Sequence, residues 1–111
     1  MKVLKNANHV LRIMDAKLDE LQKKFDEAED ELEEAEIYGQ KISIICVKNH
    51  ISCAIKRHHG FDEGDMTGVY EYAADTKKSA REYGDPWDTW YMKGRAKGAA
   101  WALKEIEKRM E

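Results

Sequence analysis

The densest group of reactive side chains in this 111-residue sequence is an acidic run at residues 26–36, in which eight of eleven residues are Asp or Glu. Like charges three or four residues apart destabilise a helix, and a negative surface repels nucleic acid and attracts basic surfaces. The run therefore predicts either a solvated outer face or a binding site for a basic protein partner, such as a nucleic-acid-binding protein whose channel the acids would mimic. The expected partner-binding residues are Glu27, Asp30, Glu31, Glu33 and Glu34.

A second candidate surface combines cations with aromatic rings between residues 77 and 97. Such a combination can bind an anionic nucleotide, because cations pair with phosphates and rings stack on bases. The binding residues in this alternative are Lys77, Lys78, Arg81, Trp90, Lys93, Arg95 and Lys97. Trp87, Tyr91 and Trp101 share one face of a predicted helix and are expected in the core, whereas Trp90 is expected to be exposed.

Cys46, His50 and Cys53 follow one another at helical spacing and could donate soft ligands to a metal. Zinc usually takes four ligands, and a second Cys/His pair elsewhere in the chain would be needed to complete such a site. No such pair is evident, so the sequence favours two buried structural cysteines, no metal and no cofactor. A reducing compartment would keep both as thiols.

Two pairs of carboxylates raise an enzymatic hypothesis. Glu33-x-x-Glu36 followed by Asp62-x-x-Asp65 resembles the acidic motifs with which all-helical nucleotide pyrophosphohydrolases hold Mg²⁺. The resemblance covers four residues, and Asp62 stands where that family has Glu. Nothing resembles a nucleophilic triad, a phosphate-binding loop or a dinucleotide fingerprint, so we expect no catalytic residues and no enzyme.

The elements that must position these groups are helices. Two rows of apolar residues recur every seven positions in the first third of the chain and predict a coiled-coil helix over residues 1–38. The rows are Leu4, Leu11, Leu18, Phe25 and Leu32, and Ala7, Met14, Leu21, Ala28 and Ala35. Either Gly39 ends this helix and a second starts near Lys41, or one helix continues to about His58.

Three further helices are predicted. The helix at residues 41–58 is expected to be buried on two faces, residues 60–65 form a loop, and a shorter helix covers residues 66–83. Asp85 as N-cap and Pro86 at the first helical position start a last helix over residues 86–110. Gly94 and Gly98 within it predict the close approach of a neighbouring backbone, because each costs about 1 kcal/mol relative to Ala.

The fold class that follows is all-α: a single domain over residues 1–111 in which a long N-terminal coiled-coil helix packs with two to three others. Because the first helix is longer than any partner in the chain, we expect a homodimer, with a seam of Leu4, Leu11, Met14, Leu18, Leu21 and Phe25. No unbroken apolar stretch exceeds five residues, as at Ala99 to Leu103, and the N-terminus lacks a secretory signal pattern. We therefore expect a cytoplasmic protein outside the membrane.

The favoured hypothesis is a non-catalytic protein-interaction module, a small inhibitor or adaptor in the style of phage accessory proteins. It would present its acidic helix to a basic partner and would not bind nucleic acid directly. The alternative is a helical oligomer that sequesters an anionic nucleotide, and the Mg²⁺-dependent pyrophosphohydrolase is the third hypothesis.

Overall fold

A computed structural model describes all 111 residues as four α-helices without a strand, which confirms the all-helical class. The helices are α1 (Ala7–Glu27), α2 (Glu31–His58), α3 (Glu63–Ser79) and α4 (Pro86–Glu107). None of them combines the length and apolar character that crossing a bilayer requires.

The helix predicted over residues 1–38 is divided into α1 and the start of α2 by a turn at residues 28–30. Asp30 caps α2, because its carboxylate accepts a hydrogen bond from the backbone N–H of Leu32 at 2.7 Å. The turn carries no Gly or Pro and leaves the seven-residue spacing unbroken, so periodicity alone does not reveal it. The predicted helix end at Gly39 is absent, because α2 continues through this residue to His58.

The other helix ends also differ from the predicted ones. Residues 1–6 are not helical; Val3 instead exchanges backbone hydrogen bonds with Glu111, at 3.0 and 2.9 Å. Helix α3 starts at Glu63, inside the predicted loop, because Asp62 and Asp65 form a reciprocal capping box. Helix α4 begins at Pro86 as predicted, with the Asp85 carboxylate accepting from the N–H of Trp87 at 2.9 Å.

Helices α2 and α4 form the centre of the bundle, with α1 packed mainly on α2 and α3 mainly on α4. Glu36 meets Gly94, and Gln40 meets Gly98, so the two central helices run parallel. Lys41 bonds Gln22, and Lys48 bonds Asp15, so α1 runs antiparallel to α2. Helix α1 has no direct packing on α3, which lies across the bundle.

Glycines bring α2 and α4 into backbone contact. A Cβ added at Gly94 would lie 2.8 Å from the carbonyl carbon of Glu36 and closer still to its oxygen. A Cβ at Gly98 would lie 2.8 Å from Cα of Gln40, and one at Gly39 would lie 2.8 Å from the backbone nitrogen of Arg95. The close approach predicted from Gly94 and Gly98 is confirmed, and Gly39 is its counterpart on α2.

The seam predicted for a homodimer is covered within the chain. Leu4, Met14 and Leu21 are buried in the core, and Leu11, Leu18 and Phe25 pack against it. With 21 residues, α1 is shorter than α2, which has 28. The argument for a dimer, that the first helix is longer than any partner in the chain, therefore no longer applies to this seam. The homodimer stays a prediction with no surface assigned to it.

Candidate functional site

The parallel central pair places two helix N-termini at one end of the bundle, beside the α1–α2 turn. Asp and Glu are favoured at such termini because the helix dipole is positive there. Accordingly, Glu31, Glu33 and Glu34 occupy the first turn of α2, and Asp88 occupies the first turn of α4. The fold thereby gathers acids from distant parts of the sequence at one end.

The five predicted partner-binding acids all lie at this end, which we call the acidic edge: residues 26–36 with Asp85 and Asp88. Glu27, Asp30, Glu31 and Glu33 are exposed and Glu34 is half-buried. Because the turn separates the run between two helices and Glu31, Glu33 and Glu34 lie at a favourable terminus, the repulsion expected along one continuous helix is reduced. That repulsion is therefore a weaker reason to expect a partner than the sequence suggested.

Most carboxylates of residues 26–36 lack a cationic partner. Of the eight, only Glu36 forms an ion pair, with Lys97 at 3.2 Å. Asp26 accepts a hydrogen bond from Gln22, and Asp30 serves as the N-cap of α2. The two helix termini supply only about half a positive charge each, which offsets about one carboxylate. The acidic edge therefore keeps a negative local charge.

An aromatic cleft opens beside these acids. The cavity of about 520 Å³ is lined by Phe25, Tyr38 and Trp87 together with Ala35, Glu31 and Glu34. Trp87 stacks on Tyr91, with ring centres 5.1 Å apart and an angle of 15° between the ring planes. The ring centre of Tyr38 lies 6.4 Å from that of Trp87. Trp87 stays 38% exposed and Tyr38 stays 41% exposed. The expectation that Trp87 packs in the core is wrong, whereas Trp90 is exposed as predicted.

No family model, curated protein or solved structure matches this chain. Its function must be inferred from its own residues.

Of the seven residues of the alternative anion site, the structure brings Lys93 and Trp90 together and engages Lys97 and Arg95 with residues outside the set. Lys77 and Lys78 lie in the last turn of α3, where the negative end of the helix dipole favours cations. Lys97 pairs with Glu36, and the Lys93 ammonium lies 4.9 Å from the centre of the Trp90 ring. Arg81 covers the ring of Tyr83 from 4.9 Å.

Arg95 is engaged inside the bundle. Its guanidinium donates a hydrogen bond to the Tyr72 hydroxyl at 3.1 Å and lies within 5.9 Å of the ring centres of Tyr72 and Tyr91. The hydrogen bond to Tyr72 raises the pKa of Arg95, which outweighs the opposing effect of burial. Arg95 thus links α3 to α4 and is half-buried, unlike the exposed lysines.

The cysteines differ from their prediction, since Cys46 and Cys53 are both exposed. The side of α2 that is buried carries Ile44, Val47 and Ile51 instead. Helix α3 packs mainly on α4, so the cysteine face of α2 receives little cover. His50, the third residue of the metal hypothesis, forms a 2.7 Å hydrogen bond with the backbone carbonyl of Asp65.

A different cluster lies at the start of α3, where side-chain atoms of His58, Asp62 and Asp65 approach within 4.8 Å of one another. The capping box accounts for the two carboxylates, and His58 Nε2 lies 3.2 Å from the Asp65 carboxylate. Burial tends to raise the pKa of Asp65, but hydrogen bonds from the Asp62 backbone and from His58 outweigh it, so this pKa lies below its usual value.

The paired carboxylates of the pyrophosphohydrolase hypothesis lie at opposite ends of α2. Glu33 and Glu36 are in its first turns, and Asp62 and Asp65 follow its C-terminus. At about 1.5 Å per residue, the helix separates the two pairs by roughly 30 Å. They cannot share one Mg²⁺ site within the chain.

Proposed function

We propose that this protein is a non-catalytic interaction module that binds a basic protein surface through its acidic edge. It would act stoichiometrically, as an inhibitor or adaptor, by occupying that surface. The proposal places the protein in the cytoplasm. The observation that supports it best is the set of carboxylates at one bundle end that have no ion pair within the chain.

Charge and position both favour this partner class. An uncompensated acidic surface speeds association with a basic partner and suppresses association with nucleic acid, and both effects weaken with salt. The lysines at the end of α3 form no ion pair with the carboxylates of residues 26–36, whose one ion pair joins Glu36 to Lys97. The nucleotide-binding alternative receives no comparable support, because Arg95 and Lys97 are already engaged with Tyr72 and Glu36 of the same chain.

Binding of a basic peptide tests the proposal. The probe is Gly-Lys-Gly-Lys-Arg-Lys-Gly-Lys-Gly with a fluorescent label, and the variant combines Glu27→Gln with Glu31→Gln. Both side chains are exposed and form no ion pair, so the substitutions should not unfold the bundle. Loss of the two negative charges should weaken peptide binding about three- to tenfold at low salt.

The matched control combines Glu71→Gln with Asp75→Asn. These residues are exposed on α3, form no ion pair, and their replacement changes the net charge equally. Retained affinity in this control, with loss in the Glu27 and Glu31 variant, is the expected result. Equal affinity in all three proteins, or no binding by the wild type, would refute the proposal.

A further inference from the structure

The cleft beside the acidic edge differs from the other aromatic surfaces of the molecule in what its rings contact. Aromatic faces attract cations within about 6 Å of the ring centre. Two of the three tryptophans already have a lysine ammonium of the same chain over the ring. The Lys93 ammonium lies 4.9 Å from the ring centre of Trp90, and the Lys17 ammonium lies 5.5 Å from that of Trp101. Trp87 has none, although it is as exposed as Trp90, at 38%.

Tyr38 completes the pattern. It is 41% exposed, lies beside Trp87 in the cleft, and also has no cation of its own chain. Phe25, the third ring of the cleft, is approached by the Lys41 ammonium at 5.6 Å. The two rings with the largest exposed areas in the cleft are therefore the two that lack a cation.

The carboxylates of the cleft lack cations as well. Glu31 and Glu34 line the cavity, and neither forms an ion pair with a lysine or arginine of the chain. A group that satisfies both the ring faces and these carboxylates must be positively charged and flat enough to stack. The guanidinium group meets both conditions, because it is planar, weakly hydrated and able to donate two parallel hydrogen bonds to a carboxylate.

We propose that the cleft between Tyr38, Trp87, Glu31 and Glu34 is an anchor site for one arginine side chain of a basic protein partner. The inference rests on the proposed function and adds to it the residue type that the partner inserts. The cavity of about 520 Å³ lies within the range of pockets that enclose small ligands, so it accommodates one side chain. The surrounding acids then contact the partner's other cations.

A double-mutant cycle separates the anchor from general charge attraction. The two probes are Gly-Lys-Gly-Lys-Arg-Lys-Gly-Lys-Gly and the same peptide with lysine in place of arginine, which carry equal charge. The proteins are the wild type, Trp87→Leu and Trp90→Leu. Trp90 is the matched control because it is on the same helix with the same exposure and does not line the cleft.

We expect the wild type to bind the arginine peptide about three- to fivefold more tightly than the lysine peptide. Trp87→Leu should abolish this preference, and Trp90→Leu should retain it. In NMR spectra, the indole N–H signal that disappears in Trp87→Leu should be the one that moves most when the arginine peptide is added to the wild type.

Equal affinity of the wild type for the two peptides would overturn the anchor, as would a preference that survives in Trp87→Leu. If the Glu27 and Glu31 variant still weakened both peptides in that case, the proposed function would stand without the anchor. Failure of both peptides to bind the wild type would overturn both proposals. If Trp87→Leu lost its helical circular dichroism, Tyr38→Leu would replace it. The affinities of the wild type for the arginine and lysine peptides would still decide whether the anchor exists.

Discussion

The backbone contact between α2 and α4 makes Gly94→Ala the most informative change in the fold. A methyl group at this position would overlap the carbonyl group of Glu36, and that backbone group cannot rotate away as a side chain can. Relief requires the two helices to separate by roughly 1 Å, and a gap of that size forfeits up to about half of each dispersion contact.

The expected magnitude follows from two opposing terms. Alanine gains about 1 kcal/mol of helix propensity over glycine. Overpacking costs about 1–3 kcal/mol in ordinary cores and more where nothing can yield. Because the obstacle is backbone and the separation would also loosen the contact at Gly98, we expect a net loss of at least about 2 kcal/mol. Total stability is about 5–15 kcal/mol, so this loss is measurable.

Gly68→Ala is the matched control, since Gly68 also lies inside a helix and gains the same propensity. Its added Cβ would meet the imidazole of His50 at 2.9 Å, a side chain that can rotate away at the cost of its hydrogen bond to the Asp65 carbonyl, about 1 kcal/mol. Urea unfolding followed by circular dichroism should lower the midpoint of Gly94→Ala by about 1 M, for a slope of about 2 kcal/mol per molar. Gly68→Ala should stay within about 1 kcal/mol of the wild type. If Gly94→Ala were as stable as Gly68→Ala, the helices would not be in backbone contact.

Three further predictions concern the core, a cap and the cysteines. Leu21→Ala should destabilise the fold by about 2–5 kcal/mol, because Leu21 is buried within its own chain. The loss should be the same at low and high protein concentration, and a loss that varied with concentration would support the dimer seam instead. Asp65→Asn should cost about 1 kcal/mol at neutral pH. The pKa of Asp65 is lowered in the folded protein, so its carboxylate stabilises the fold at pH values above the unfolded pKa. The cost of Asp65→Asn should therefore shrink as the pH falls through the folded pKa. A cost that did not change with pH in urea unfolding would contradict the assignment. Both exposed cysteines should react with a thiol reagent in the native protein as fast as in urea, and protection of either would mean that the face of α2 is covered.

The sequence predicted the parts of the fold that depend on local periodicity and local chemistry. Apolar spacing indicated helices throughout, Asp85 with Pro86 placed the start of α4, and Gly94 with Gly98 indicated close packing. The turn at residues 28–30 escaped because apolar spacing continued across it. A usable signal was present, namely Asp30 followed by acids at the next helical positions, which is typical of a helix start.

The candidate site was predictable only in part. The acidic run is visible in the sequence, but its meeting with α4 depends on the parallel arrangement of α2 and α4, which no local pattern encodes. Trp87 and Tyr38 come from different helices, so the cleft between them could not be recognised beforehand. Tyr38 directly precedes Gly39 on the predicted seam, and a large ring at that place was the one available hint.

A single NMR titration tests the central claim most directly, which is that the acidic edge is where a basic partner binds. The isotopically labelled wild-type protein is titrated with the arginine-containing peptide, and backbone amide shifts are mapped on the sequence. We expect the largest changes at residues 26–38 and 85–91. Changes centred elsewhere on the bundle, or no changes at low salt, would contradict the claim.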